Sequence, residues 1–215
     1  MKTKWFNIDL HVHTRRYSPC AETLEPYELS KAMLAKNVGG VVITEHDLLW
    51  EEKEINELNR SLGPDMRVYR GVEITAEEAH LVVIGVTDIK DVRPRLPARE
   101  VVRAVRQQGA AVILAHPFLA EHKIFSLNGG NSWMQELHAL EVASSLTVGD
   151  AERKTRLLAY QKGLMRVAGS DAHSLEKVGA TYTSFPRPPA HEQELARMIM
   201  AGVGVPVRNF VKHAG

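Results

Sequence analysis

The sequence predicts an α/β fold, arranged as a small barrel or an open wound sheet of about seven strands. Three observations predict it: short apolar runs alternate with amphipathic helical patterns, no Ser/Pro/Gly-rich linker divides them, and 215 residues suit one domain of moderate size. Residues 1–215 are therefore read as a single domain.

Each element has its own signal. Residues 5–10 read as the first strand. Residues 26–36 read as a helix, opened by Pro26, with Leu29, Ala32 and Met33 at helical spacing and Gly39-Gly40 beyond its end. Residues 41–44 form a buried strand, and 51–62 a second helix stopped by Gly63-Pro64. Residues 67–74 and 81–86 are the next strands. The gap between them is too short for a parallel crossover, which takes roughly a dozen residues or more, so they should run antiparallel or be offset. A helix at 97–108, a strand at 111–115 and a long loop through Ser132 follow. The remainder reads as a strand at 140–143, a helix at 151–162, a strand at 165–169 and a last helix at 190–200. No internal repeat is present.

Composition narrows the function classes. With 44% apolar and 25% charged residues, the chain can bury a core without disulfides or a structural metal, so any bound metal is expected to be functional. Net charge is +1, from 27 Lys+Arg against 26 Asp+Glu, and no basic run stands out. That excludes an extended nucleic-acid surface but permits a short oligonucleotide or a small phosphorylated substrate. The longest apolar runs, 81–86 and 110–115, are too short to span a bilayer. The first residues lack the apolar stretch of a signal peptide, and Cys20 is the lone cysteine, so a cytoplasmic location is expected.

The chemistry lies in the positions of the histidines. Asp9, His11 and His13 end the first strand, where alternate side chains share a face, giving a metal half-site backed by a carboxylate. Thr44-Glu45-His46-Asp47 follows the second strand and Gly71-Val72-Glu73 ends the third. His80 opens the next strand; if that strand turns back on its predecessor, His80 lies beside Glu73. Ala115-His116-Pro117 ends another strand, Glu141 sits inside the one after it, and Gly169-Ser170-Asp171-Ala172-His173 follows the last. Singly, each has an ordinary explanation as a surface residue or helix cap. Together they place His and acid clusters after successive strands, where barrel strands converge on one opening. Imidazole and carboxylate donors with almost no thiolate favour Zn, Mn or Fe. These donors are too many for one tetrahedral ion, whereas carboxylates shared between two or three divalent ions would use them all.

On the ordered motifs 9–14, 43–47, 71–73, 115–117 and 169–173, the sequence resembles the PHP (polymerase and histidinol phosphatase) family. The resemblance implies a distorted (β/α)7 barrel. It implies His11, His13, Glu73 and Asp171 around one ion, with Glu73 also reaching a neighbour, His46 and His173 at another, and His116 with His80 at the remaining one. It also implies hydrolysis of phosphomonoesters or phosphodiesters. The chain departs from the family pattern in two places. Tyr17-Ser18-Pro19-Cys20 stands where Asp or His often occurs, and Glu45 replaces the usual Asp. Cys20 is read as an unrelated buried thiol in preference to a soft ligand.

The expected activity is a metal-dependent phosphoesterase acting on a small phosphomonoester or a short nucleotide phosphodiester. A hydroxide bridging two ions would attack phosphorus, metal coordination lowering the pKa of water from about 15.7 to about 7. Asp171 and His173 are the candidates for proton relay, and Arg15, Arg16 and Lys123 for phosphate contacts. The competing readings are an amidohydrolase cleaving C–N bonds, a nuclease for oligonucleotides, and a non-catalytic metal-binding domain. His122, His138, His191 and His213 fall in no motif and are read as surface or structural residues. Trp133 either closes over substrate or packs on the core. The sequence gives no basis for an oligomeric state.

Overall fold

The computed structural model describes residues 5–21, 23–119, 122 and 131–209. Strand β1 is Phe6–Val12, β2 Gly40–Ile43, β3 Arg67–Thr75, β4 His80–Ile84 and β5 Ala111–Leu114. They are followed by β6 Ala139–Ala143, β7 Met165–Ala168, β8 Thr181–Phe185 and β9 Val205–Arg208. The helices are α1 Leu29–Lys36, α2 Glu52–Ser61, α3 Ala98–Arg106, α4 Gly149–Lys162 and α5 Glu192–Met200. None of the described helices is long and apolar enough to cross a membrane.

Local chemistry accounts for the helix ends. Pro26 starts a 3-10 turn that leads into α1, and Asn37 closes it in the left-handed region at φ 53°. Glu54 reaches back to the Glu51 amide at the start of α2. In α3, Val101, Val102 and Val105 are buried while Arg99 and Arg103 lie outward.

The strands form one sheet in the order β7-β6-β5-β4-β3-β2-β1-β8-β9. Strands β1 to β7 are thus in sequence order, as a barrel requires. β4 runs antiparallel to both β3 and β5, whereas β1-β2-β3 and β5-β6-β7 are parallel. The short β3-β4 connection gives the reversal expected from its length. A strict (β/α)7 pattern is not kept. No helix separates β3 from β4, a 3-10 segment (Asn131–Glu136) precedes β6, and two strands are added beside β1. β8 carries Thr and Ser rather than an aliphatic run, and β9 contains Pro206, which an outermost strand tolerates.

The sheet curls until it nearly closes. After β7, Ala172 donates its amide to His11 O (3.3 Å) and accepts from His13 N (2.9 Å), and Val12 and Ala172 form a parallel bridge. Gly169 permits this approach: a Cβ there would lie 2.6 Å from His11 Cβ and 2.7 Å from His11 N. Inside, Ile8, Leu10, Val42, Tyr69, Val82, Ile84, Ile113 and Val167 form an apolar plug, with Leu195 and Ile199 of α5 packed against it. Outside, α1 and α2 cover the β1-β2 side, and α3 and α4 cover β4 to β6. The apolar interior leaves the carboxyl ends of the strands for polar groups.

The closure makes a stability prediction. Gly169→Ala forces a methyl against β1 backbone and should destabilise the fold by about 2 kcal/mol or more. Gly63→Ala, which meets nothing within 4 Å, should not. Denaturant unfolding of the two variants reads the difference, and equal midpoints would contradict this account of closure.

Candidate metal centre

Strand β1 begins the site with a departure from alternation. Its pairing with β2 shifts register between Asp9 and Val12. Asp9 backs the His11/His13 pair from the main chain, its Oδ1 accepting from the His11 amide (3.3 Å). It is fully buried and accepts hydrogen bonds from Ser170 N (2.7 Å), Ser170 Oγ (2.5 Å) and Gly179 N (2.7 Å), fastening β1 to the segment after β7. Burial raises its pKa to about 6 despite these donors.

Glu73 stands at the centre. Its Oε2 lies 3.3 Å from His11 Nε2, 3.2 Å from His13 Nε2 and 3.1 Å from His46 Nδ1. Its Oε1 lies 3.0 Å from His116 Nε2 and 3.3 Å from His80 Nδ1. Asp171 Oδ1 closes the other side, 3.5 Å from His11 Nε2 and 3.3 Å from His13 Nε2. The structure thus brings together β1, the β2 end, β3, the start of β4, the β5 end and the β7 end. His80 is beside Glu73 because β4 turns back on β3, pairing Thr75 with His80.

The charges are interdependent. Burial would raise the Glu73 carboxyl, but the His11 charge, the hydrogen bond from His116 and the nearby His13 ring hold it well below the usual range. Burial likewise opposes ionisation of Asp171, yet the His11 charge and the His13 ring 3.3 Å away bring its pKa down to about 2. Burial disfavours a charged His11, and Glu73, Glu141 and Asp171 outweigh it and raise its pKa well above normal. Carboxylates that hold protons on neighbouring imidazoles attract a cation equally well.

Three groups of donors can each hold an ion: His11, His13, Glu73 and Asp171; His13, His46 and His173; and His80, His116 and His122. Within each group the donor atoms lie within 4.8 Å of one another. The orphaned atoms test the fit. His11 Nε2, both His13 ring nitrogens, Glu73 Oε2, His80 Nδ1 and His116 Nδ1 are buried without a hydrogen-bond partner. Such atoms are costly unless a ligand meets them. The residues therefore fit divalent ions.

The surrounding residues orient this set. Glu141 on β6 accepts from His11 Nδ1 (2.9 Å) and from the His116 amide (3.2 Å), leaving His11 Nε2 to face Glu73. Glu45 lies outside the three groups. It is fully buried and accepts from Thr14 Oγ1 (2.5 Å), Trp50 Nε1 (3.1 Å), the Thr14 amide and Ser18 Oγ. Asp47 bonds the Thr75 amide (2.8 Å), tying the β2 end to β3. Asp47, His116 and Asp171 have φ values of 53°, 27° and 53°, so backbone strain gathers at the strand ends.

The remaining candidates are placed as follows. Cys20 is exposed rather than a buried thiol, and it belongs to none of the donor groups. Arg15 pairs with Glu25 at 3.0 Å. Arg16 pairs with Glu54 at 2.7 Å and lies over the Tyr17 and Trp50 rings. Lys123, His213 and most of the 118–133 loop lie outside the described residues. Trp133 is buried in the core. His138 is structural, its Nδ1 accepting from the Val112 amide (3.0 Å). His122, by contrast, joins the donors although it sits in no motif. Its one sequence signal is its position six residues past His116, in the loop after β5.

A family profile described as PHP-associated matches residues 149–203. The matched segment runs from the start of α4 to just beyond α5. A Methanocaldococcus jannaschii protein, the uncharacterized MJ0417, is 26% identical over 185 residues, 83% of this chain and 70% of that protein. The fold is similar to a two-domain Bacteroides vulgatus protein containing a predicted PHP-like metal-dependent phosphoesterase. That likeness has a TM-score of 0.73 at 14% identity, over 96% of this chain and 65% of the other. It is also similar to the lesion-specific endonuclease PfuEndoQ of Pyrococcus furiosus, with a TM-score of 0.65 at 17% identity, over 95% of this chain and 58% of that one. The chain thus spans less than two thirds of either solved protein.

The Glu141–His11 bond makes a prediction. Glu141→Gln should keep the fold and weaken metal binding by about 10- to 100-fold. Competition with a chromophoric chelator measures this, and unchanged affinity would show that Glu141 does not orient His11.

Proposed function

We propose that this chain is a metal-dependent phosphoesterase acting on a small phosphomonoester or a short nucleotide phosphodiester. The observation that carries the reading is the convergence of three donor groups around the buried Glu73, with ring nitrogens lacking any other partner. His11, His13, Glu73 and Asp171 would hold one ion, His13, His46 and His173 a second, with His80 and His116 beside Glu73 serving a third. Zn, Mn and Fe all suit these donors. Bound divalent ions supply Lewis acidity toward phosphoryl oxygens and a water that is nucleophilic at neutral pH.

The chain's own groups define the direction of approach. His11 is fully buried, whereas the His46 and His173 side chains are each 35% exposed. Substrate therefore meets the centre on the His46/His173 side. His173 Nδ1 lies 3.1 Å from Asp171 O; donating there, it keeps Nε2 free to ligate or to take a proton. Asp171 serves best as a ligand, because its Oδ1 is already shared between His11 and His13.

The fold likenesses to proteins described as a PHP-like phosphoesterase and a lesion-specific endonuclease support hydrolysis of phosphate esters. A small substrate is preferred because net charge is +1, and because Arg15 and Arg16 are already paired with acids. The test is hydrolysis of an aryl phosphate, a dinucleotide and an amide panel by the metal-loaded chain. The expected result is phosphate-ester cleavage lowered more than about 100-fold in Asp171→Ala, since loss of a ligand should exceed loss of a residue that orients one. Amide cleavage without phosphate-ester cleavage would overturn the reading.

A further inference from the structure

His122 lies between β5 and β6, and the functional reading above names only His80 and His116 for the third ion. Its ring centroid is 5.0 Å from that of His80 and 5.2 Å from that of His116. The three rings offer nitrogens within 4.8 Å of one another. Both His122 ring nitrogens are buried without a hydrogen-bond partner, as are His80 Nδ1 and His116 Nδ1. A neutral imidazole has one N–H and one lone pair, and burying both unmet is unfavourable. The rings do not satisfy one another, because no hydrogen bond joins any two of them among the described residues. A single ion receiving one lone pair from each ring would meet one nitrogen of all three. Its charge would be balanced by Glu73 Oε1, 3.3 Å from His80 Nδ1 and 3.0 Å from His116 Nε2.

We propose that His122 completes a three-imidazole ion site with His80 and His116, bordered by the shared carboxylate of Glu73. Three nitrogen donors beside a single carboxylate suit a borderline-soft divalent cation such as Zn2+ better than a hard one such as Mg2+. The site is therefore chemically distinct from the mixed centre at His11, His13, Glu73 and Asp171, where half of the donors are carboxylates. This inference rests on the metal-centre reading, but it adds a ligand that no motif supplies and assigns one ion a different preference.

The test uses the full chain loaded with Zn2+, freed of excess metal and titrated with a chromophoric chelator. Wild type, His122→Ala and the exposed control His191→Ala are compared by elemental analysis, and their melting temperatures are taken with and without EDTA. The expected result is loss of one zinc equivalent, or a tenfold or greater weakening of one binding class, in His122→Ala alone. Its melting temperature in EDTA should match that of wild type. If His122→Ala fails to fold, His122→Cys takes its place, because a thiolate can restore the missing donor. Zinc binding by that variant equal to wild type supports the site, and loss of the zinc class despite a folded Cys variant overturns it. Zinc content and affinity unchanged in folded His122→Ala also overturn the proposal while leaving the metal centre standing. A wild-type chain that takes up no zinc, manganese or iron would instead overturn the metal-centre reading itself.

Discussion

The burial of the Glu73 carboxylate is the constraint on which the rest of the site depends. A carboxylate removed from water without compensation is expensive enough to be protonated or to unfold its surroundings. Glu73 is fully buried yet keeps its charge, because imidazoles from β1, β4 and the ends of β2 and β5 surround its two oxygens. Each ring in turn needs a fixed tautomer and direction. That need accounts for Glu141 behind His11 and for the fastening of strand ends by Asp9, Glu45 and Asp47.

The barrel makes this arrangement possible by separating two environments along its axis. The lower interior is filled by Ile8, Val42, Tyr69, Ile84 and Ile113 and closed off by α5. The upper end holds the donors. Where aliphatic packing stops, the backbone at Asp47, His116 and Asp171 takes up left-handed conformations that side chains ordinarily avoid. Neighbouring bonds offset that strain: Asp47 is held by the Glu73 carbonyl and the Thr75 amide, and the His116 amide is held by Glu141. The two departures from the family pattern are linked in the same way. Ser18 donates to Glu45, so the two positions hold their loops together.

Much of this was legible in the sequence. The seven barrel strands, the five helices and the reversal between β3 and β4 followed from apolar periodicity, Pro and Gly punctuation and connection length. The ordered clusters at strand ends pointed to His11, His13, His46, Glu73, His80, His116, Asp171 and His173, which the fold brings together. The rest depends on long-range pairing. Strand β9 was hidden by Pro206, and β8 by its hydroxyl side chains. The register shift in β1 between Asp9 and Val12 cannot be read from one strand alone. His122 carries no local pattern and gains its meaning only when β4 and β5 place His80 and His116 beside it. Cys20 looked like a buried thiol because a small soft side chain beside a motif reads as core, yet its loop leaves it exposed.

The account's central claim is that the charge of Glu73 holds metal ions at the meeting point of these strands. Elemental analysis of purified wild type and Glu73→Gln, with far-UV circular dichroism to confirm equal folding, tests it most directly. Gln preserves size and one acceptor oxygen but removes the charge and the capacity to serve two ions at once. The account predicts that wild type carries two or more divalent ions per chain and that Glu73→Gln loses most of them. A folded Glu73→Gln chain retaining the full wild-type metal complement would contradict it.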